Sequence, residues 1–224
     1  MKFLTKRYLN VTLYIWLAFI FCSLFFVFYP QIDIYVSHFF YNGSSFYLKG
    51  TVFERFFYNS VKVLLTAFTL TSLGIYLYNK MKHKNILNID TKVILYIVLV
   101  LSIAPGLIVN ATLKDHWGRA RPVQIKAFGG DKTFTPAFVL SNQEGHSFSS
   151  GHTAAAFAFV GFALLARKRR KFWLTLAIMY GILVSFARLI AGGHFLSDII
   201  TSFFIVWIAT HIFYKLIFHK DSTL

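Results

Sequence analysis

Lys114, Arg121, Ser150, His152, Arg188, His194 and Asp198 bring together fixed cations, a hydroxyl, two imidazoles and a carboxylate. Those groups can hold an oxyanion and react with it. Lys114 and Arg121 are seven residues apart, about two turns, and share a face if the stretch is helical; Pro122 then turns the chain out of helix. Ser149-Ser150-Gly151 leads into an apolar run. Serine is a preferred N-cap, glycine lets the backbone approach a ligand, and the free N–H groups of a helix start suit phosphate-like anions. Arg188 adds a planar fork of donors. His194 and Asp198 are four apart and stack on one helix face. A carboxylate so placed holds the imidazole in one tautomer and leaves the other nitrogen as nucleophile or base. His152, arriving from another element, is then placed to protonate a leaving oxygen.

The elements that position these groups are set by composition. The chain has 224 residues, of which 57% are hydrophobic, 19% aromatic and only 14% charged, with a mean hydropathy of +0.60. That balance names lipid as the solvent, since a soluble domain of this size needs a charged surface. Apolar runs fall at about 9–29, 56–78, 93–113, 153–166, 172–191 and 196–218, most near the roughly 20 residues a bilayer span needs. The expectation is an all-α polytopic bundle of six transmembrane helices. It forms a single domain over 1–224 with its motif core at 114–198, and both termini are cytoplasmic. The basic N-terminal run is too long for a signal peptide and lacks a small-x-small cleavage site, so it reads as an uncleaved first helix.

The formal charge of +15 does not imply nucleic acid. Lys2, Lys6 and Arg7, then Lys80 to Lys92, then Arg167 to Lys171, then Lys215 and Lys220 all flank apolar runs. With a cytoplasmic N-terminus every cluster falls on the cytoplasmic side, as the positive-inside rule expects. The external segments are then 30–55, 114–152 and the tight turn at Gly192-Gly193-His194. The candidate groups above all gather at that outer side, and ionisable groups near hydrocarbon mark functional sites. Lone Cys22, in the first run, excludes an intramolecular disulfide.

Plainer roles exist for each group. His194 with Asp198 can be a structural helix-end pair, His152 a helix-start residue, and Lys114 and Arg121 lysine and arginine snorkelling to headgroups. Convergence of all of them favours a site. Arg119 and Lys62 are accessory candidates that would touch a second phosphate or the lipid headgroups. His116 and His146 read as rim residues and His211 as structural. No metal or other cofactor is expected, because Asp115, Asp131, Glu144 and Asp198 are scattered among cations rather than arranged as ligands for paired ions.

The motifs resemble those of the type 2 phosphatidic acid phosphatase superfamily: K-x6-R-P as Lys114…Arg121-Pro122, P-S-G-H as Ser149-Ser150-Gly151-His152, and S-R-x5-H-x3-D as Ala187-Arg188…His194…Asp198. Ser149 stands where the family has proline and Ala187 where it has serine, which alters loop rigidity and removes one phosphate contact without removing a reacting group. The resemblance implies a six-helix fold and metal-independent hydrolysis through a phosphohistidine. His194 would be the nucleophile, Asp198 its partner and His152 the general acid, with Lys114, Arg121, Ser150, Gly151 and Arg188 binding phosphate. The stretch PGLIVNATLKDHWGRARPVQ is similar to the branch of bacterial lipid A phosphatases, the 4′-phosphatase type in particular.

The expected function is therefore hydrolysis of a phosphate monoester on a membrane lipid, with lipid A at the periplasmic face of a bacterial inner membrane as first choice. Undecaprenyl diphosphate and phosphatidylglycerophosphate are the alternative substrates. A transporter of anionic lipid or phosphate would use the same cations without needing a His–Asp pair, and a soluble vanadate haloperoxidase would lack the apolar runs. No nucleic acid and no obligatory protein partner are implied.

Overall fold

The computed structural model describes residues 4–9 and 11–218; Lys2 and Lys220 of the basic clusters lie outside the described residues. The chain folds into helices α1 (Leu13–Phe28), α2 (Gln31–His38), α3 (Val52–Lys82), α4 (Thr91–Leu101), α5 (Gly151–Leu164), α6 (Arg170–Ile190) and α7 (Leu196–Phe218). Local chemistry sets their ends. Thr51 accepts from the Glu54 N–H at 3.3 Å to start α3, Asp90 accepts from the Val93 N–H at 2.9 Å to start α4, and Ser150 accepts from the Thr153 N–H at 3.4 Å to start α5; each is a preferred N-cap residue.

α4 continues without a break into a wider π-helical segment, Ser102–Lys114. Pro105 lies inside it and supplies no N–H, so the ladder shifts to i→i−5 spacing. The Asn110 side-chain amide also donates to the Pro105 carbonyl, at 2.6 Å, and the Asp115 N–H closes the last i→i−5 step onto the Asn110 carbonyl.

α5 is the centre of the bundle. Ala154, Ala156, Ala158 and Val160 are fully buried; Ala154, Ala158 and Val160 pack with Tyr96, Val100, Val206 and Ala209 from α4 and α7, and Ala156 packs with Val61 and Val184 from α3 and α6. Small residues let helices approach closely where lipid offers no hydrophobic drive. At Gly181 of α6 a Cβ would sit 2.5 Å from the Phe157 ring. The outer faces are the reverse: Phe21, Phe28, Leu70, Met179 and Ile182 are exposed, the pattern of a surface solvated by lipid tails.

All of the apolar runs expected as spans contain a helix, yet among the described residues length and composition qualify four helices, Val52–Lys82, Thr91–Lys114, Arg170–Ile190 and Leu196–Phe218, as crossing a membrane singly. α1 and α2 qualify only together, across an 87° bend, which makes five. α5, at 14 residues, is only about 21 Å long against a hydrocarbon thickness of about 30 Å. The count of six is therefore not carried by length alone.

Candidate active site

One end of the bundle collects the start of α3, the end of the π segment, the start of α5, the end of α6 and the start of α7. The 115–150 loop covers that end. It is pinned by backbone pairing of Gly118 with Gly145 and of Arg119 with Ser147 at 3.0 Å each, which lays Ser147 beside the start of α7.

His194 sits there, 2% exposed. Its Nδ1 is 2.7 Å from the Ser147 carbonyl and 3.7 Å from Asp198 Oδ2. A carbonyl oxygen only accepts, so Nδ1 carries the proton and Nε2 keeps its lone pair. Burial pushes the His194 pKa down to about 4; Asp198 opposes the shift, while Arg188 and Arg121 reinforce it. The ring is therefore neutral at physiological pH, the state a nitrogen nucleophile needs.

Asp198 is fully buried and held on all sides. Oδ1 accepts from Arg119 Nη1 at 2.5 Å, and Oδ2 accepts from Ser147 Oγ at 2.6 Å and from the Phe195 N–H at 2.9 Å. The last bond is half of a capping box on α7, with the carboxylate favourably placed at a helix N-terminus.

Cations act on both histidines, Arg188 and Arg121 on His194 and these two with Lys114 on His152. The fields of Arg188, Lys114 and Arg121 all reach the His152 ring, and His194 couples to it as well. Lys114 is half-buried at the end of the π segment. Arg121 lies in extended backbone (φ −80, ψ 159) just before Pro122, and its N–H donates to Gln124 Oε1 at 2.9 Å. The expected shared helical face is thus absent. The helix stops near Lys114, the chain turns at Gly118 (φ +70), and the loop brings Arg121 back toward Lys114. Gly151 is pressed against the π segment, where a Cβ would meet Asn110 Oδ1 at 2.4 Å.

Sequence reasoning missed Glu54 and Tyr58. Glu54 Oε1 accepts from Arg188 Nη1 at 3.2 Å, with both side chains nearly buried. The Tyr58 ring stacks on His152 at 4.2 Å and lies under the Arg188 guanidinium, 4.8 Å away. The spacing carried a signal: Thr51-x-x-Glu54 is a capping-box pattern, and Tyr58 follows Glu54 by one turn on the same face. Arg188 Nε is buried without a hydrogen-bond partner among the described residues, as is Ser149 Oγ, so the arginine keeps donor capacity beyond its contact with Glu54. A Cβ on Gly193 would come 2.3 Å from Arg188 Nη2; the absent side chain is what lets the guanidinium lie there.

The accessory candidates are placed differently. Arg119 is 0% exposed and faces Asp33, Asp198, Ser197 and the Thr135 carbonyl, so it meets protein carboxylates rather than a substrate's phosphate. Lys62 is exposed on α3, one turn beyond Tyr58. His146 is at the rim, with Nδ1 3.1 Å from the Lys114 carbonyl. Among the described residues no three His, Cys, Asp or Glu side chains are grouped as metal ligands. A cavity of about 1110 Å³, lined by Phe68, Phe162, Arg170 and Trp173 among others, contains none of these groups.

Residues 94–222 match the model of the PAP2 superfamily. A lipid A 4′-phosphatase of Francisella tularensis subsp. novicida is 35% identical over 215 residues, covering 90% of this chain and 93% of the relative. Lipid A 4′-phosphatases of Rhizobium leguminosarum and Rhizobium etli are 37% and 39% identical over 103 and 102 residues, less than half of either relative. No solved structure matches the chain.

Proposed function

Since the chain belongs to the PAP2 superfamily, we propose that this membrane-embedded lipid phosphatase removes the 4′-phosphate of lipid A at the periplasmic face of a bacterial inner membrane. The observation that carries the proposal is the convergence of Lys114, Arg121 and Arg188 on His152 beside a neutral, Nδ1-protonated His194. The similarity to a lipid A 4′-phosphatase along nearly the whole chain favours lipid A over undecaprenyl diphosphate or phosphatidylglycerophosphate. We assign the chain one domain, six spans with α5 as the shortest, and both termini on the cytoplasmic side, as the basic clusters favour.

In the first step Lys114, Arg121, Arg188 and the start of α5 at Ser150-Gly151 hold the phosphate oxygens. His194 Nε2 attacks phosphorus, the bond from phosphorus to the sugar oxygen breaks, and His152, taken to imidazolium once the anionic phosphate sits beside it, gives that proton to the sugar oxygen. His194 then carries the phosphoryl group, with Nδ1–H still donating to Ser147 and Asp198 offsetting the positive ring. In the second step water attacks phosphorus, His152 takes the water's proton, and the N–P bond breaks to return the imidazole and inorganic phosphate. The cations supply the charge stabilisation that a metal would otherwise give, so the route needs none. Tyr58 keeps His152 and Arg188 in register.

Purified protein incubated separately with bis-phosphorylated lipid A, undecaprenyl diphosphate and phosphatidylglycerophosphate tests the substrate. Mass spectrometry should show lipid A losing its 4′-phosphate at the highest kcat/KM. Phosphate release confined to another of the three would overturn the assignment. A periplasm-active reporter inserted near Gly130, silent near Asn85, is expected from the orientation; the reverse pattern would move the site to the inner leaflet.

A further inference from the structure

We propose that Asp33, far in sequence from every motif segment, is a positioning residue for His194 that acts through Arg119 and Asp198. The inference rests on His194 being the nucleophile. Asp33 lies on α2, fully buried, at the level where α2 meets the start of α7. Its Oδ1 accepts from the Ser197 N–H at 2.9 Å, and its Oδ2 accepts from Ser197 Oγ at 2.5 Å and from Arg119 Nη2 at 2.8 Å. Arg119 turns its other terminal nitrogen, Nη1, to Asp198 Oδ1 at 2.5 Å and to Ser197 Oγ at 2.9 Å. One guanidinium thus joins two carboxylates, clamped over the Phe195 ring at 4.4 Å and tied by Nε to the Thr135 carbonyl at 2.8 Å.

The charge of this cluster decides what His194 feels. Arg119 alone would neutralise Asp198 and leave the imidazole facing only the cations Arg188 and Arg121, with His152 close by. A second carboxylate on Arg119 restores one net negative charge behind the ring. Both carboxylates strengthen the cationic state of Arg119 against the opposing effect of its burial, and burial of the Asp33 carboxylate is opposed by the guanidinium and by both Ser197 donors. As Nε2 bonds phosphorus the ring gains positive charge, and the surplus negative charge of the Asp33–Arg119–Asp198 chain favours that state. Glu54 does not serve this purpose, being engaged with Arg188 and the Gly50 N–H.

Asp33→Asn separates charge from packing, because an amide oxygen still accepts from the Ser197 N–H. In the solubilised full chain it should lower kcat about tenfold, a loss typical of outer-shell partners, with KM little changed. The acid limb of kcat/KM should move to lower pH, since the ring loses a negative field that favours its protonation. Asp33→Asn combined with Arg119→Gln removes one charge of each sign and should return the limb toward its original position. Asp33→Glu, which keeps the charge, should leave the limb in place, and it decides the matter if Asp33→Asn does not accumulate folded. Normal kcat and limb in Asp33→Asn, or a displaced limb in Asp33→Glu, overturn the inference. His194→Ala tells the two levels apart: if it is inactive while Asp33→Asn is normal, only the role of Asp33 fails, whereas an active His194→Ala removes the nucleophile and the Asp33 proposal together.

Discussion

His194 Nδ1 lies 2.7 Å from the carbonyl of Ser147, a full ångström closer than to Asp198. The tautomer is thus fixed first by the backbone of a loop outside the motifs, and the carboxylate acts mainly through its charge and through its bonds to Arg119, Ser147 and Phe195. The two residues of the i, i+4 pair should therefore differ when replaced. His194→Ala should abolish turnover, by about 10⁴-fold or more. Asp198→Asn keeps the ring bonded to Ser147 and should retain more activity. Because it leaves Arg119 buried with one carboxylate fewer, it should also cost about 3 kcal/mol of stability. Phosphate release and thermal unfolding of the purified variants check both.

Burial holds the His194 pKa at about 4 against an ordinary value of 6.5. Between those values the unfolded chain binds a proton that the folded one excludes, so stability rises with pH across that window and falls as pH drops through it. The thermal midpoint should climb from pH 4.5 to 6.5. His194→Asn should climb less steeply, and an identical slope would contradict a buried neutral imidazole.

Tyr58 offers a ring rather than a hydroxyl to the site. Tyr58→Phe should remain close to wild type, while Tyr58→Leu, which loses the stack on His152 and the face under Arg188, should lower kcat/KM about tenfold. Equal losses in both would assign the work to the hydroxyl instead.

Gly193→Ala should raise KM more than it lowers kcat, because the new Cβ would overlap Arg188 Nη2 and displace a phosphate contact rather than the nucleophile. Titration with inorganic phosphate as product inhibitor reads the same loss, with an expected Ki increase of about tenfold.

Most of the bundle could be read from apolar runs and basic punctuation, since lipid leaves a helix few alternatives. The short fourth run, 153–166, anticipated the length of α5, Gly151–Leu164, but nothing in the sequence says how deep its start lies. The convergence of Lys114 with Arg121 was expected through a helical spacing, yet it arises from a helix end and a turn at Gly118. Motif spacing picked out the cations and histidines that the fold gathers at one end of the bundle. It was silent on Ser147, Glu54, Tyr58 and Asp33, which act across 47 to 164 positions of sequence. Each was a polar or aromatic residue in an otherwise apolar or interfacial stretch, and long-range pairing alone gives it meaning. Arg119 shows the opposite case: read from sequence as an accessory contact to substrate or lipid phosphate, it is turned inward by two buried carboxylates.

The phosphoryl group should be caught on the nucleophile itself. Protein mixed with ³²P-labelled lipid substrate, quenched within one turnover and digested under alkaline conditions, should yield one labelled peptide carrying phosphohistidine at His194, stable to base and lost in acid. A full burst of phosphate with no covalent label, or label on His152 in its place, would contradict attack by His194 on phosphorus.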